Sequence, residues 1–229
     1  GVSHDTIARV KLIRDEGTEE EKSRLMRPDC TLSINQVYRR VRRDQMKTET
    51  PPFPKRRFAL ILGDPPYQYE FTQCENRAIE NHYPTMTLEA MKNLPIGEIT
   101  DKDCVLLLWA PPPKLQEAIT LLTAWSFSYR SGIVWVKDKI GMGYYARAQH
   151  EHLLIATKGN PPVPPPDKRP SSVIRAPRGR HSEKPEKVYE LIEQMYPSFE
   201  KIELFARPTS RRAGWTYWGN EVDPSREGA

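Results

Sequence analysis

The ten residues Phe58–Tyr67, FALILGDPPY, join an apolar run to a loop that contains two prolines. The apolar part, Phe58–Leu62, is short and mostly aliphatic, which is typical of a strand that is buried on both faces of a sheet. Gly63 separates this run from Asp64, and the two prolines restrict the backbone of the loop. The stretch therefore predicts a buried strand that ends in a stiff loop carrying a carboxylate and an aromatic ring.

Four further apolar runs follow this stretch, and amphipathic segments separate them. The runs are Val105–Trp109, Ile133–Val136, Leu153–Ala156 and Ile202–Phe205. Helices are marked by Leu115, Ile119 and Leu122 and by Val188, Leu191, Ile192 and Met195. Strands that alternate with helices indicate an α/β domain built around a largely parallel sheet. In such sheets ligands bind beyond the carboxyl ends of the strands, where the Asp64 loop is expected.

The loop Asp64-Pro65-Pro66-Tyr67 has the residue types that methylation of an exocyclic amine on a nucleic-acid base requires. Such an amine is a poor nucleophile because its lone pair is delocalised into the ring. Acceptors for both N–H bonds return electron density to the nitrogen, and the Asp64 carboxylate and the Pro65 carbonyl are candidates. The prolines keep the acceptors aimed, and Tyr67 offers a face on which a flipped base can stack. The alternative for these four residues alone is a proline-rich turn after a strand.

Eight blocks between Phe58 and Val222 carry a family resemblance. They are FALILGDPPY, HYPTM, LLLWAPP, IVWVK, QHEHLLIATKGNP, HSEKPEKVYELIE, KIELFARP and GWTYWGNE. The blocks and their order resemble those of the MTA-seventy-like family of adenine-N6 methyltransferases. This resemblance covers about seven-tenths of the chain. This is the family of the messenger-RNA adenosine methyltransferase catalytic subunit, with bacterial and phage members. The resemblance implies a circularly permuted Rossmann-like fold with the motif order of the beta class, and S-adenosylmethionine as the methyl donor.

The resemblance also implies roles for individual residues. It assigns the catalytic motif to Asp64, Pro65, Pro66 and Tyr67, and the surroundings of the acceptor base to Tyr83 and Glu151. It assigns cofactor contacts to Asp64, Lys184, Glu203, Arg207 and Asn220, with Lys184 reaching the cofactor's carboxylate. The chain departs from the messenger-RNA enzyme at Thr209, Ser210 and Glu221, where that enzyme has His, Asn and Gln. The residues that hold the cofactor's adenine have no clear match.

The sequence predicts four segments. They are a small helical module at 1–47, a proline-rich linker at 48–57, a methyltransferase domain at 58–222 and a tail at 223–229. Capping boxes are indicated by Thr18-x-x-Glu21 and Ser33-x-x-Gln36. A helical stretch after Ser3 contains Ile7, Val10 and Ile13, and the helix after Ser33 carries Ile34, Val37, Tyr38 and Val41 on one face. The stretches VSHDTIARVKLIRDEGTEEEKSRLM and TLSINQVYRRVRRD resemble the last helices of a ParB/KorB-type helix-turn-helix module, which implies DNA binding. The alternative is a helical cap on the catalytic domain.

A basic strip between Lys168 and Ser182 holds five Lys or Arg residues and no acidic residue. Its members, predicted to be flexible contacts to the substrate, are Lys168, Arg169, Arg175, Arg178 and Arg180. Because the whole chain has a net charge of only +5, this concentration of charge favours a polyanion partner over a solvated loop. The Arg211-Arg212 pair is interpreted as surface charge.

Three further patterns limit the class of protein. Cys30, Cys74 and Cys104 have no CxxC or Cys/His spacing, and His150, His152 and His181 form no ligand set, so no metal site is predicted. No apolar run approaches the roughly 20 residues that cross a bilayer. The composition therefore predicts a cytoplasmic protein of a bacterial or phage-infected cell, with no membrane partner.

The sequence thus predicts an S-adenosylmethionine-dependent DNA adenine-N6 methyltransferase. An RNA adenosine-N6 methyltransferase is an alternative because it shares the same core. A cytosine-N4 enzyme is a weaker one, because such enzymes more often carry Ser at the first motif position. A non-catalytic nucleic-acid-binding subunit is the alternative from a different class, and the intact Asp64, Tyr67 and Lys184 argue against it. The target sequence, a homodimer and a partner subunit are left open.

Overall fold

The computed structural model describes residues 4–27, 33–38, 40–41, 51–69, 85–143, 145–179, 183–206, 212–220 and 222. The chain divides into two compact units. One comprises Gly1–Thr50 and Pro66–Met86, and the other comprises Pro51–Pro65 and Thr87–Ala229. Three of the predicted site residues, Tyr83, Arg180 and Arg207, lie outside the described residues.

Short helices form the described N-terminal part of the first unit. Helix α1 spans His4–Glu16, α2 spans Glu19–Leu25, and residues 34–38 and 40–41 are also helical. The capping box before α2 is confirmed, because Thr18 N donates to the Glu21 carboxylate at 2.9 Å and Glu21 N donates to the Thr18 hydroxyl at 3.3 Å. These bonds satisfy backbone donors that a helix start otherwise leaves unpaired.

The second predicted capping box is also confirmed, since Ser33 N donates to the Gln36 side chain at 2.7 Å and Gln36 N to the Ser33 hydroxyl at 3.2 Å. The small core of these helices is made by Ile13, Val37 and Val41, with Leu12, Leu25 and Tyr38 packed against it. Ile7 and Val10 are about half exposed, and Ile34, predicted to share the apolar face of the helix after Ser33, is 39% exposed. The core meets only the C-terminal part of α1.

The second unit is built on a seven-stranded sheet with the spatial order β5-β3-β4-β2-β1-β6-β7. The strands are β1 (Phe58–Gly63), β2 (Thr100–Ala110), β3 (Ser128–Val136), β4 (His150–Lys158), β5 (Val173–Arg175), β6 (Lys201–Leu204) and β7 (Trp215–Trp218). Strand β4 runs antiparallel to β2 and β3, and the other neighbouring pairs are parallel. The predicted α/β class and the largely parallel sheet are therefore confirmed.

All five apolar runs identified in the sequence form strands of this sheet, whereas β5 and β7 were not predicted. Strand β5 has three residues and β7 has four, and both lie at the outer edges of the sheet. Runs this short show no periodicity that distinguishes them from loops. Arg175 lies in β5, so the prediction that the basic strip is flexible was wrong at this residue.

Helices cover the sheet. They are α3 (Leu88–Lys92), α4 (Ile96–Ile99), α5 (Leu115–Ala124) and α6 (Glu186–Met195), with single 3₁₀ turns at Pro112–Lys114 and Pro166–Lys168. Helix α6 packs Val188, Ile192 and Met195 into a core shared with β1, β2, β3 and β4. Helix α5 contacts β2 and β3 and buries Ala118, Leu121 and Leu122. Ile119 is exposed because it lies one position off that buried stripe.

Residues 51–57, within the predicted linker, have no regular secondary structure but pack against β7. The Phe53 ring stacks on Trp218 with centroids 4.1 Å apart and planes 16° apart. The Trp218 indole N–H also donates to the Pro51 carbonyl at 2.9 Å. The described part of this segment is therefore held on the sheet, while the domain boundaries remain predictions. Within the described ranges, no helix is long and apolar enough to cross a membrane.

The strand directions bring several chain segments to one side of the sheet, here named the carboxyl edge. Strands β1, β2, β3, β6 and β7 end at this edge, and the antiparallel β4 begins there. Trp135 of β3 pairs in register with Glu151 of β4, and Gly63, the last residue of β1, pairs with Leu204 of β6. Asp64, next in the chain after Gly63, therefore comes to the edge where ligands bind in such sheets.

Candidate active site

A buried lysine joins two carboxylates at the carboxyl edge. Lys184 Nζ lies 2.8 Å from Asp64 Oδ2 and 3.1 Å from Glu151 Oε2. The Lys184 side chain is only 8% exposed, and those of Asp64 and Glu151 are 21% and 14% exposed. Three residues that the sequence analysis assigned separately to the catalytic motif, the acceptor base and the cofactor are thus in direct contact.

The Asp64 loop begins where β1 is tightly packed. A Cβ on Gly63 would lie 3.2 Å from a methyl group of Leu108, so the last residue of the strand sits close to β2. Beyond Asp64, Met86 N donates to the Pro66 carbonyl at 2.8 Å, and Tyr67 and Met86 form an isolated parallel bridge. Tyr67 is 3% exposed. Its ring is therefore buried in this structure, and its role in stacking the base stays a prediction.

Glu151 has a second cation, Lys137, which the sequence analysis did not identify as a site residue. Lys137 Nζ lies 2.6 Å from Glu151 Oε1. Lys137 follows β3, and Glu151 is the second residue of β4, so the antiparallel pairing of these strands brings the two together. The quoted block IVWVK contains Lys137, but only the register between β3 and β4 shows that it pairs with Glu151.

The four groups form a row of alternating charge, Lys137, Glu151, Lys184 and Asp64. Burial alone would raise the pKa of Glu151, but the charges of Lys184 and Lys137 outweigh burial and hold that pKa below its ordinary value. Burial would lower the pKa of Lys184, but Asp64 and Glu151 outweigh it and raise that pKa. Glu151 and Lys184 are therefore charged at neutral pH.

Two tryptophans line this row of charges. Lys184 Nζ lies 5.2 Å from the ring centroid of Trp109, and Lys137 Nζ lies 4.8 Å from that of Trp135. The two rings meet edge to face with centroids 6.0 Å apart. Trp109 and Trp135 are 1% and 2% exposed and belong to the hydrophobic core. Their faces stabilise the ammonium groups and exclude water from the ion pairs.

Glu203, predicted to contact the cofactor, is held by a tyrosine of α6. The Tyr189 hydroxyl donates to Glu203 Oε1 at 2.9 Å. Burial and the Glu203 charge raise the pKa of Tyr189, so the phenol remains protonated and is a donor. Glu203 is next to the last residue of β6, and its carboxylate is thereby oriented at the carboxyl edge.

The loops after β6 and β7 are locked to each other beside Glu203. Phe205 has a φ of +60°, a conformation that bulky side chains rarely adopt, and it turns the chain sharply after β6. Ala206 N donates to the Trp218 carbonyl at 2.9 Å. A Cβ on Gly219 would lie 2.6 Å from the Ala206 carbonyl oxygen, so only glycine fits there without movement. Asn220, a predicted cofactor contact, follows this close approach.

Arg212 is a structural residue and not surface charge, so that interpretation was wrong. Its guanidinium forms two hydrogen bonds with Glu193, at 2.8 and 2.7 Å, and an ion pair with Glu186. Its side chain is 19% exposed. Trp215 also donates to Glu193 at 2.9 Å. Arg212 therefore ties α6 to the segment that enters β7, a contact for which the sequence holds no local signal. Arg211 lies outside the described residues.

The described part of the basic strip divides between the two ends of β5. Lys168 and Arg169 come before β5, where Lys168 lies 3.9 Å from Asp167 and Arg169 donates to the Pro164 carbonyl at 2.8 Å. Arg175 ends β5 at the carboxyl edge, in register with Val136. Arg178 follows it and is exposed. Only Arg175 and Arg178 are therefore brought towards the row of charges.

Comparison with known proteins shows which family the chain resembles. The profile of the MT-A70 family matches residues 58–221. The chain is 31% identical over 194 residues to the Type II methyltransferase M.MunI of a Mycoplasma species, an alignment that covers 77% of this chain and 82% of that protein.

Eukaryotic relatives match a similar share of the chain. The identity is 29% over 175 residues with the N(6)-adenosine-methyltransferase catalytic subunit METTL3 of Homo sapiens, covering 73% of this chain and 28% of that protein. It is 28% over 177 residues with the N(6)-adenosine-methyltransferase MT-A70-like protein of Arabidopsis thaliana, covering 74% and 24% respectively. This chain therefore spans less than a third of the length of these eukaryotic proteins. The chain belongs to the MT-A70 family of methyltransferases.

Proposed function

We propose that the protein transfers a methyl group from S-adenosylmethionine to the N6 amine of adenine in DNA. The observation that carries this proposal is the Asp64 carboxylate at the start of a diproline loop, held at the carboxyl edge by Lys184, whose ammonium lies over Trp109. The names of METTL3 and its relatives, N(6)-adenosine methyltransferases, support adenine N6 as the acceptor. The match to 82% of a Type II methyltransferase supports the DNA-modifying branch.

The proposed chemistry requires only acceptors at the amine. The Asp64 carboxylate accepts one N–H of the adenine amine and the Pro65 carbonyl accepts the other, so the nitrogen lone pair is directed at the methyl group. Asp64 need not be a strong base, because the amine can lose its proton after transfer. Preorganised acceptors of this kind lower the barrier because they need no rearrangement as charge develops.

The residues at the carboxyl edge fit S-adenosylmethionine. When bound, the cofactor supplies an electrophilic methyl group. An ammonium has three donors, and Lys184 uses two on Asp64 and Glu151, so the third can hold the cofactor's carboxylate. Glu203, oriented by Tyr189, is a candidate acceptor for the ribose hydroxyls, and Asn220 and Arg207 are assigned to the same part of the cofactor.

The Tyr189→Phe variant tests the assignment of Glu203 to the cofactor. The substitution removes the donor to Glu203 and keeps the ring that packs edge to face on Trp215 at 5.5 Å. Because a hydrogen bond to a charged group contributes about 1.5–3 kcal/mol, we expect the Kd for S-adenosylmethionine to rise about tenfold or more, with a smaller change in kcat.

Tyr196→Phe is the matched control, since Tyr196 is a buried tyrosine at the end of the same helix and packs on Phe199 with centroids 4.8 Å apart. Calorimetric titration of both variants separates the two roles. Equal affinities in wild type and Tyr189→Phe contradict a role of Glu203 in cofactor binding, whereas equal losses in both variants indicate a structural role only.

We further propose that DNA is held both by the N-terminal helices and by the basic strip. Removing residues 1–47 is expected to weaken duplex binding more than it slows methylation of a short single strand, whose bases are already unstacked. Since phosphate contacts release counterions, the log of the binding constant falls with log salt by about one unit per contact, and truncation reduces this slope. The truncated protein keeps Pro51 and Phe53, which pack on Trp218.

Gel-shift titrations at two salt concentrations, with thermal unfolding of both proteins as the control, measure this effect. Unchanged duplex affinity after truncation contradicts the helix-turn-helix interpretation and leaves a helical cap. The proposed substrate implies a cytoplasmic location in a bacterial or phage-infected cell.

The proposed reaction is tested by nucleoside analysis of DNA that has been incubated with the protein and S-adenosylmethionine. The expected product is N6-methyldeoxyadenosine. N4-methyldeoxycytidine as the product contradicts the choice of base, and the absence of any methylated nucleoside contradicts the proposal as a whole.

A further inference from the structure

The described residues that connect β3 and β4 form a hydrogen-bonded hairpin stem. Lys137 N donates to the Gln149 carbonyl at 2.8 Å, and Gly141 N donates to the Ala148 carbonyl at 2.7 Å. The Gln149 side chain donates back to the Lys137 carbonyl at 3.1 Å. These bonds extend the β3–β4 pairing beyond the carboxyl edge, so the described residues at its end, 140–143 and 145–147, project from a supported stem. This segment is called the hairpin tip below.

The hairpin tip exposes large apolar side chains. Tyr145 is fully exposed, Met142 is 78% exposed and Ile140 is 48% exposed. The tip backbone is also fixed from one side, because Arg147 Nε donates to the Gly141 carbonyl at 3.1 Å. Apolar side chains that are held out from a structured turn and left in water indicate a surface that is covered by a partner.

Exposed cations lie on the hairpin and beside its stem. Lys139 and Arg147 are exposed on the hairpin, and Arg175 and Arg178 are exposed on the segment beside its stem. The acidic residue of the hairpin, Asp138, accepts a hydrogen bond from Arg178 N at 2.9 Å, which lowers the pKa of Asp138 and ties the basic segment to the stem. A partner that matches both the exposed apolar side chains and the cations has apolar faces and closely spaced negative charges. Nucleic acid has both, in its bases and its phosphates.

The position of the hairpin favours the substrate itself as this partner. Its stem leads on one strand to Lys137 and on the other to Glu151, two members of the row of charges. A surface at this place meets the polymer close to the base that is being modified. A membrane surface offers the same chemistry, but it gives no reason for the apolar side chains to stand beside the catalytic residues.

We infer that the hairpin tip inserts Tyr145 and Met142 into the target duplex next to the adenine that is flipped out, a step that rests on the proposed function. Extruding a base leaves a gap in the stack, and an apolar side chain that enters the duplex offsets the lost stacking. Lys139, Arg147, Arg175 and Arg178 bind the phosphates on either side. The tip is therefore needed for duplex DNA and dispensable for single strands, in which the base is already free.

The double variant Met142→Ser/Tyr145→Ser in the full chain tests this inference. The matched control is Tyr129→Ser/Val163→Ser, which removes two other exposed apolar side chains. Tyr129 lies in β3 and is 54% exposed, and Val163 lies in the segment after β4 and is 73% exposed. Both are remote from the carboxyl edge. The probes are genomic DNA, native or heat-denatured. In the tip variant, kcat/KM on native DNA is expected to fall by about tenfold, because one base-stacking contact is lost. On denatured DNA we expect less than about a twofold change, and the cofactor affinity should be unchanged. The control variant is expected to match wild type on both.

Equal losses on native and denatured DNA, or wild-type activity on native DNA, overturn the inference. A flotation assay with phosphatidylglycerol vesicles tests the membrane alternative. If wild type floats with the vesicles and the tip variant does not, while both methylate native DNA normally, the tip binds a membrane and the inference is overturned. If wild type methylates neither form of DNA, the proposed function fails. Fluorescence polarisation with a labelled duplex then tests the tip alone, where weaker binding by the tip variant than by the control supports DNA contact and equal binding refutes it.

Discussion

Replacing Asp64 with alanine is expected to abolish methyl transfer while the fold and most of the cofactor affinity are retained. The carboxylate is the acceptor that activates the amine, and removing one preorganised partner of a developing charge slows catalysis by about a hundredfold to a thousandfold. Asp64 is 21% exposed at the start of a loop, and Lys184 keeps Glu151 as its partner, so the protein should remain folded. Turnover is measured with labelled S-adenosylmethionine, and cofactor affinity by calorimetry.

Two further variants control for the loss of an acidic side chain. Asp101→Ala removes an exposed carboxylate near the start of β2, at the opposite edge of the sheet, and is expected to have wild-type turnover. Asp64→Asn keeps the shape of the side chain and one acceptor oxygen, so it separates the charge from the geometry. Turnover of Asp64→Ala within tenfold of wild type would contradict the assignment of Asp64 as the acceptor.

Lys184→Ala is expected to have the second largest effect, on cofactor affinity and on stability together. Loss of a charge-assisted contact to the cofactor's carboxylate corresponds to about tenfold to a hundredfold weaker binding. The substitution also leaves Glu151 and Asp64 without their shared cation, and breaking a buried ion pair in this way costs about 3–5 kcal/mol of unfolding free energy. Calorimetry and urea unfolding measure the two effects. Unchanged cofactor affinity would mean that Lys184 only holds the two carboxylates.

The pH dependence of this variant distinguishes an electrostatic loss from a packing defect. The pKa of Glu151 is held below its ordinary value of 4.5, so its contribution to stability is present above that pH and is lost as the pH falls through the lowered pKa. The stability difference between wild type and Lys184→Ala should therefore shrink on acidification. A difference that is constant with pH contradicts the electrostatic role. Lys187→Ala, which removes an exposed lysine from the start of α6, is the matched control and should behave as wild type.

Much of the fold could be predicted because its strands are strongly apolar. Phe58–Gly63 is buried almost throughout, and Val105–Ala110 of β2 is entirely buried, so their signal does not depend on context. Strand β5, with the sequence VIR, lies beside β3 but has too few residues to be distinguished from a loop. Ile119 fits a helical repeat, yet the face that α5 buries is set by where β2 and β3 lie and cannot be derived from the spacing alone.

The site was only partly accessible from the sequence. Asp64 was identified from the chemistry of its loop and Lys184 from the family resemblance, but 119 positions separate them, and no sequence signal indicates that they are in contact. The partners Lys137, Tyr189 and Arg212 depend on pairing between β3 and β4 or on the packing of α6, which are tertiary properties. The resemblance therefore identified chemical groups, and the fold determines which of them form ion pairs.

The most direct measurement is nucleoside analysis of one sequence-matched set of substrates: duplex DNA, single-stranded DNA and RNA, each incubated with wild type and with Asp64→Ala. Because the acceptor is proposed to be the adenine N6 amine of DNA, we expect N6-methyldeoxyadenosine in both DNA forms with wild type. We expect little or no product in RNA, and none in any substrate with Asp64→Ala. Methylation of RNA without methylation of DNA, or DNA methylation that persists in Asp64→Ala, would contradict the proposed reaction.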